Sequence, residues 1–399
     1  MKKVQVNSLY CYGFIFLLML IYGFNNTEIV IPEIVKKMCV YGAFFLVALS
    51  ITMRKYRMMD LLKLVLLCAF AVSSYFITHE TIYSMMIFGA IIVYDCDYCG
   101  VLKLIFYERL FIILIIVGGA LSGMLSLGEI TILKGGVKAT MAWALGYNHP
   151  NQLATQVGFL ILLFICIKNS KLNNLNISAL ILTTVATFAL SKSRTFIFIS
   201  LFAIIICWLL QHKITQKYVS MFLEKFSIFV MPACAVIALG VPCLMTTATG
   251  KFQVYLWAIN GDLGSRFTHA SRVFENYDIS LFGSMVDFEK LQILYNYSIV
   301  DDGYVQLLYN FGIFGSALFI ILYILTIKRL IKKQEYVYII AIMCIAMWGI
   351  SENVLRSLAT NFTVLFWSEL MKNRQTFGIS EKRWKRHMKI RFKRIGGLY

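Results

Sequence analysis

Residues 195–211 read TFIFISLFAIIICWLLQ, an apolar run that contains no charged side chain. A helix of about 20 such residues crosses the hydrocarbon core of a bilayer, so this run predicts a transmembrane helix. It does not show the alternation with polar residues that the strands of a transmembrane β-barrel require. The chain contains eleven similar runs, and the twelve runs together predict an all-α integral membrane protein of about twelve transmembrane helices. The twelve runs lie near residues 9–24, 34–53, 60–78, 80–95, 104–127, 150–167, 174–190, 195–211, 226–245, 303–327, 336–350 and 358–371.

The composition of the whole chain agrees with a membrane protein. Of its 399 residues, 59% are hydrophobic and 15% are charged. A soluble domain needs about 25% charged residues to cover its surface. The net charge of +18 could indicate a nucleic-acid ligand. However, the basic residues form short clusters between apolar runs and one C-terminal tail, which is the pattern of the cytoplasmic side of a membrane protein. We therefore expect no nucleic-acid partner.

The basic clusters also predict the orientation of the chain. Lys and Arg are retained in cytoplasmic connections. Twelve spans place every cluster inside and leave both termini in the cytoplasm. Residues 1–371 then form a polytopic transmembrane region, and residues 372–399 form a basic cytoplasmic tail that binds membrane-lipid headgroups. The inner clusters are Lys2 with Lys3, Arg54 to Arg57, Lys103 with Arg109, Lys168 with Lys171, Lys213 with Lys217, and Lys328 to Lys333.

Two connections on the predicted outer side are long, at about residues 128–149 and 246–302. The second is the largest loop, and a loop of this length is expected to fold over the outer mouth of the bundle, partly as helix. Its acidic residues are dispersed and form no cluster that resembles a metal cage. We therefore predict no metal and no cofactor. These acids are Asp262, Glu275, Asp278, Asp287 and Glu289.

Three arginines on the predicted outer side are not explained by the orientation rule. Arg194 lies between two spans, and Arg266 and Arg272 lie in the largest loop. Solvated side chains are one interpretation, because long outer loops tolerate charge. An arginine at the edge of a span, however, usually faces a cavity or a partner. Guanidinium groups bind phosphate oxygens in a bidentate fork, which favours a diphosphate on a membrane lipid as the ligand.

Five short motifs follow one another around the predicted outer side. They are Gly146 to Ala154, Ser191 to Arg194, Gly264 to Arg266, Leu281 to Gly283, and Asp301 to Leu308 continuing to Gly315. In this order and topology the chain resembles the bacterial polysaccharide repeat-unit polymerases of the Wzy type, within the O-antigen polymerase and ligase group. Arg272 followed by ten residues and then Gly283 is similar to an Arg-x10-Gly pattern of polymerase loops. The resemblance implies a GT-C-like fold in the bacterial plasma membrane.

The resemblance implies a metal-independent glycosyltransferase. The donor is a glycan on undecaprenyl pyrophosphate, and the acceptor is a sugar hydroxyl of the next lipid-linked repeat unit. Arg266 and Arg272 are expected to neutralise the leaving diphosphate in place of a metal. Asp302 is expected to act on the acceptor hydroxyl, with His269 or Glu275 as alternative bases. The expected substrate-binding residues are Arg194, His149, Asn151, His269, Gly283 and Tyr304.

Other interpretations of the same residues stay open. Asp302 and His149 each precede a predicted helix and suit helix capping. A ligase for O-antigen or teichoic-type glycans has the same topology and donor but another acceptor. A flippase or transporter for lipid-linked oligosaccharides is the alternative that is not an enzyme. A chain-length regulator and the flippase of the same pathway are the expected protein partners.

Overall fold

The computed structural model describes residues 2–54, 56, 58–94, 96–134, 138–169, 171–262, 266–296 and 300–371, and most of them are helical. The predicted basic tail, residues 372–399, lies outside the described residues. In chain order the elements are α1 (Lys2–Gly23), α2 (Glu33–Thr52), α3 (Met58–Thr78), α4 (Thr81–Ile92), α5 (Tyr98–Leu121), β1 (Glu129–Lys134), β2 (Lys138–Trp143), α6 (Pro150–Lys168), α7 (Asn174–Ser191), α8 (Arg194–Gln211), α9 (Lys213–Thr247), α10 (Gly250–Asp262), α11 (Arg266–Asn276), α12 (Phe288–Tyr295), α13 (Gly303–Lys333), α14 (Tyr336–Trp348), a 3₁₀ helix (Phe362–Trp367) and α15 (Ser368–Met371).

Eight of the described helices are long and apolar enough to cross a membrane, namely α2, α3, α5 to α9 and α13. The protein is therefore a helical membrane protein, as the apolar runs predicted. Twelve full-length spans remain a prediction, because the other four apolar helices are shorter. These are Asn7–Gly23, Thr81–Ile92, Tyr336–Trp348 and Phe362–Met371.

Two of the short helices, α4 and α14, form the centre of the bundle. Residues 83–92 of α4 and residues 337–346 of α14 are all buried. Helices that are apolar on every side are surrounded by protein. A helix of 12 residues, such as α4, is about 18 Å long, which is less than the roughly 30 Å of a hydrocarbon core. At least one end of each central helix therefore lies below the level of a membrane surface.

At one end of the bundle, called here the basic end, cationic side chains connect helices that are distant in the sequence. Arg54 after α2 donates to the carbonyls of Ile91 and Ile92 at 2.9 and 2.7 Å, which satisfies the end of α4. Lys63 of α3 and Arg329 of α13 both donate to the carbonyl of Leu370, at 3.0 and 3.2 Å. The chain therefore returns to the basic end at α15.

The opposite end, called here the loop end, carries α10 to α12 and a β-hairpin that the sequence did not predict. Strands β1 and β2 pair antiparallel, from Glu129 opposite Trp143 to Lys134 opposite Lys138. An isolated bridge between Thr27 and Tyr147 joins the segment after this hairpin to the α1–α2 connection. The described residues of the predicted outer connection 128–149 thus form a hairpin whose following segment is joined to the bundle.

The prediction that Arg109 lies in an inner connection is wrong. Asp97 caps α5, because its side chain accepts hydrogen bonds from the amides of Cys99 and Gly100 at 3.2 and 3.1 Å. The helix therefore begins at Tyr98, six residues before the predicted span, and Arg109 falls at its middle. The buried guanidinium donates to Gln156 Oε1 at 3.0 Å and to the carbonyl of Ala359 at 2.6 Å.

Helix α13 is broken at Gly312, where φ is 67° and ψ is −174°. The irregular segment before α12, residues 279–285 and called here the strap, packs against the break. The amides of Ile313 and Phe314 donate to the carbonyls of Ser280 and Leu281, each at 3.1 Å, and the amide of Ser284 donates to the carbonyl of Tyr309 at 2.7 Å. The strap thus satisfies backbone groups that the break leaves without helical partners.

Candidate functional site

The connection from α14 to the 3₁₀ helix, residues 349–361 and called here the platform, contacts most of the elements at the loop end. Ser351 Oγ lies 3.1 Å from Thr195 Oγ1 at the start of α8, and Asn353 Nδ2 donates to Gln306 Oε1 of α13 at 2.7 Å. Further platform side chains reach α6, α11 and the α3–α4 turn. The platform therefore brings together segments that are far apart in the sequence.

Arg266, at the start of α11, joins the platform to the start of α13. Its guanidinium forms one ion pair with Asp301 and a second with Glu352, whose Oε1 lies 2.9 Å from Nη2. The same Glu352 oxygen accepts a hydrogen bond from Asn151 Nδ2 at 3.1 Å. We call these four residues the Arg266 cluster. It contains one cation and two carboxylates, so its formal charge is negative when both acids are ionised.

The two carboxylates of the Arg266 cluster differ in their access to solvent. The side chain of Asp301 is 28% exposed, whereas that of Glu352 is 7% exposed. Burial raises the pKa of Glu352; the charge of Arg266 acts against this, and the charge of Asp301 adds to it. An incoming molecule would therefore meet Asp301 and the edge of Arg266 first, with Glu352 behind them.

His149 and Asn151 reach this region from the start of α6. His149 is the N-cap, and its Nδ1 accepts a hydrogen bond from the amide of Asn151 at 3.1 Å, with Pro150 at the first helical position. Partial burial lowers the pKa of His149; Asp301 raises it and Arg266 lowers it. His149 thus lies within the electrostatic influence of the Arg266 cluster, while it also performs the capping that its position suggested.

Asp302, the carboxylate predicted to act on the acceptor hydroxyl, is the N-cap of α13. Its Oδ1 accepts hydrogen bonds from the amides of Tyr304 and Val305 at 2.8 and 3.1 Å. Its residue exposure is 1%, and Oδ2 is buried with no hydrogen-bond partner among the described residues. Burial raises the pKa of Asp302 well above its ordinary value. Asp301 is the more accessible of the two neighbouring acids.

The other candidates on α11 form a second group beside the Arg266 cluster. The Arg272 guanidinium lies 4.6 Å from the centre of the Tyr295 ring, a cation–π contact between α11 and α12. His269 lies between the two arginines: burial, then Arg272 and then Arg266 lower its pKa to about 4. A neutral imidazole is therefore placed among cationic groups. Glu275 is exposed on the same helix.

Of the six predicted substrate-binding residues, only Asn151 is a member of the Arg266 cluster. Arg194 is exposed at the start of α8, beside the Thr195 that contacts the platform. Gly283 lies in the strap, where an added Cβ would stand 2.7 Å from the carbonyl oxygen of Asn310. The Tyr304 hydroxyl donates to the carbonyl of Ala346 at 3.0 Å inside the core. The packing of these two residues is sufficient to explain why glycine occurs at position 283 and tyrosine at position 304.

The sequence did not identify Glu352 as part of the site. Glu352 and Arg356 are four residues apart, a spacing that allows an ion pair within a helix, but they do not pair with each other. Arg356 pairs with Glu80 in the α3–α4 turn, and Glu352 pairs with Arg266. The platform is not a continuous helix, so helical spacing does not apply there. The available signal was a carboxylate in a short polar interval between two apolar runs.

The fold and the site together define a helical membrane protein with a partly buried ionic cluster at one end of its bundle. The chain matches no protein-family model, no curated protein and no solved structure. The resemblance to the repeat-unit polymerases therefore rests on the sequence motifs and on their arrangement at the loop end.

Proposed function

We propose that the protein polymerises oligosaccharide repeat units that are linked to undecaprenyl pyrophosphate, at the outer face of a bacterial plasma membrane. The observation that carries this proposal is the Arg266 cluster, in which Asn151, Arg266 and Asp301 come from three of the five motifs. The motif Ser191 to Arg194 is followed directly by Thr195, which contacts the platform, and the motif Leu281 to Gly283 packs on α13 as part of the strap. The product is a capsular, O-antigen or other surface polysaccharide.

The reaction joins an acceptor hydroxyl to the anomeric carbon of the donor glycan. The bond between this carbon and the diphosphate oxygen breaks, and its electron pair leaves with undecaprenyl pyrophosphate. The leaving diphosphate binds Arg266 in competition with the exposed Asp301, because a guanidinium binds both phosphate and carboxylate oxygens. Asp301 is then free to accept the proton of the attacking hydroxyl, which balances the transfer.

Asp302 has a structural role in this proposed reaction. Its capping bonds hold the start of α13, and therefore the backbone of Asp301, against the platform. The amide of Gly303 donates to the carbonyl of Gly349 at 2.8 Å, which adds a second link between the two segments. Asp302 thus positions Asp301, whereas Asp301 is the acid that reaches solvent. This assignment replaces Asp302 by Asp301 as the group that acts on the acceptor.

The test is synthesis by the purified protein in liposomes. Lipid-linked repeat units should yield a ladder of longer glycans without nucleotide sugar and without divalent metal. Arg266→Gln should lower the rate by about 10²–10³-fold, the usual cost of removing one such electrostatic group. Asp301→Asn should do the same, whereas Asp302→Asn, which retains a capping oxygen, should be milder. Glu289→Gln, an exposed carboxylate on the neighbouring α12, is the matched control.

Full activity of Arg266→Gln would remove the cluster from the mechanism. Loss of activity on chelation, with recovery on addition of magnesium, would show that arginine does not replace a metal. Transfer of the glycan to an acceptor other than a lipid-linked repeat unit, with no ladder of longer glycans, would favour the ligase alternative.

Flippase activity is the second candidate function, and the charged residues at the middle of α5 support it. Glu108 and Arg109 lie at the middle of α5, and both Glu108 carboxylate oxygens are buried with no hydrogen-bond partner among the described residues. Charged groups at this depth often mark a translocation pathway. Arg109, however, is held by Gln156 and Ala359. Movement of a labelled lipid-linked oligosaccharide across the liposome, without a ladder, would identify the protein as a flippase.

A further inference from the structure

The strap, residues 279–285, exposes apolar side chains at a depth that a membrane would occupy. Phe282 is 66% exposed and Met285 is 65% exposed. The Phe282 ring lies 5.5 Å from that of Phe314, which is itself exposed on α13. Gly312, where the strap docks, follows Gly303 by nine residues, or about 14 Å along the helix axis. The apolar surface of the strap thus continues the apolar surface of a membrane-crossing helix.

The backbone of the strap is compatible with a lipid environment. Irregular backbone is not tolerated in hydrocarbon unless its polar groups are paired within the protein. The carbonyls of Ser280 and Leu281 accept from the amides that follow Gly312, and the amide of Ser284 donates to Tyr309. The amide of Phe282 is 3.3 Å from Ser280 Oγ. The pairing between the strap and the broken helix therefore removes the main cost of immersion in lipid.

A row of polar side chains lies behind the strap, between α13 and the α3–α4 turn. Asn310, against which Gly283 packs, donates to the Tyr83 hydroxyl. The Arg356 guanidinium lies 5.9 Å from the centre of the Tyr83 ring and pairs with Glu80. The Arg356 side chain is 36% exposed, and its Nε has no hydrogen-bond partner among the described residues. A partly exposed cation is thus connected to the strap through Tyr83 and Asn310.

We propose that the strap is inserted into the lipid leaflet at the loop end and that, with Arg356, it forms a lateral binding site for an anionic phospholipid. The acyl chains pack on Phe282, Met285 and Phe314, and the phosphate of the headgroup binds Arg356 in competition with Glu80. This site is distinct from the Arg266 cluster and does not depend on the proposed polymerase activity, since any membrane protein could contain it.

The test is photo-crosslinking in nanodiscs that contain phosphatidylcholine with a minority of phosphatidylglycerol. A benzophenone amino acid replaces Phe282 in one sample and Ile321, which is exposed in the membrane-crossing part of α13, in the other. Mass spectrometry then identifies the crosslinked lipids. Both positions should capture lipid, and position 282 should capture phosphatidylglycerol with about two- to fivefold enrichment over position 321, as expected for one basic residue near the surface.

Substitutions around Arg356 separate charge from packing. Arg356→Gln should abolish the enrichment at position 282, whereas Arg356→Lys should retain it. Glu80→Gln removes the competing carboxylate and keeps the cation, so the enrichment should stay the same or rise. Absence of lipid crosslinks at position 282, while position 321 gives them, would overturn the insertion of the strap. Crosslinks without enrichment, or enrichment that Arg356→Gln leaves unchanged, would overturn the binding site.

Discussion

Arg266 is held by two carboxylates that are unequal in exposure, and this arrangement determines what the guanidinium can bind. Glu352 is buried and fixed by Asn151, so it acts as a constant partner. Asp301 is the partner that an anionic ligand could displace, because it is the more exposed. Removing Arg266 would leave two acids without their cation, and a buried unpaired charge is strongly destabilising. The membrane level of each Arg266 variant must therefore be measured beside its activity.

The lowered pKa of His269 predicts that the folded protein loses stability at acidic pH. Burial and the two neighbouring arginines lower its pKa to about 4 in the folded protein, from about 6.5 in an unfolded chain. Between these two pKa values, His269 is protonated in the unfolded chain but neutral in the folded protein. Its contribution to the stability of the folded protein is therefore complete above about pH 6.5 and is lost as the pH falls towards about 4. His269→Gln should reduce the fall in unfolding temperature between about pH 7.5 and about pH 5.

The measurement is the change of unfolding temperature with pH within each protein, in detergent or nanodiscs. A packing defect from the substitution lowers both temperatures and cancels in the difference. An equal fall in the wild type and in His269→Gln would show that His269 accepts its proton in the folded state as readily as in the unfolded one.

At the scale of elements, the break in α13 depends on the close contact between Gly312 and Gly283. An added Cβ at Gly312 would clash with the amide nitrogen of Gly283 and lie 2.5 Å from the carbonyl oxygen of Leu281. The positive φ of Gly312 is also unfavourable for any other residue. The strap and the broken helix are therefore a single unit, and neither conformation would form without the other.

Gly312→Ala should destabilise the protein by about 1–3 kcal/mol or more, through the strained backbone and the lost contact with the strap. The free energy or temperature of unfolding checks this, together with the yield of folded protein. Gly240→Ala in α9 is the matched control, because an added Cβ there meets no atom within 4 Å. It should be neutral or stabilising by up to about 1 kcal/mol. Equal stability of the two variants would contradict the coupling of strap and helix.

At the scale of the whole molecule, the bundle has a basic end and a loop end, and the orientation rule assigns the basic end to the cytoplasm. Alkaline phosphatase, which is active outside the membrane, should be active when fused after residue 296 at the loop end and inactive after residue 212 at the basic end. β-Galactosidase fusions should show the reverse. A cytoplasmic loop end would remove the lipid-linked donor from the site, and the proposed function with it.

The helices and the membrane character follow from the sequence alone, because hydrophobicity over about 20 neighbouring residues is a local property. Local signals also predicted the start of α6 at Pro150 and the capping alternative for Asp302, since a cap involves only the next few residues. The beginning of α5 was predicted six residues too late, although its cap, Asp97, is a local signal, because Lys103 and Arg109 were assigned to an inner connection.

The tertiary structure alone decided which polar residues meet. Asn151 and Glu352 are separated by 201 residues, and Arg266 and Glu352 by 86, so no spacing rule connects them. Likewise Arg356 pairs with Glu80, 276 residues away, and not with its neighbour in the sequence. Hydrophobicity determines where each helix lies along the chain, whereas the partners of a charge depend on how the helices pack, and packing sums contacts over the whole molecule.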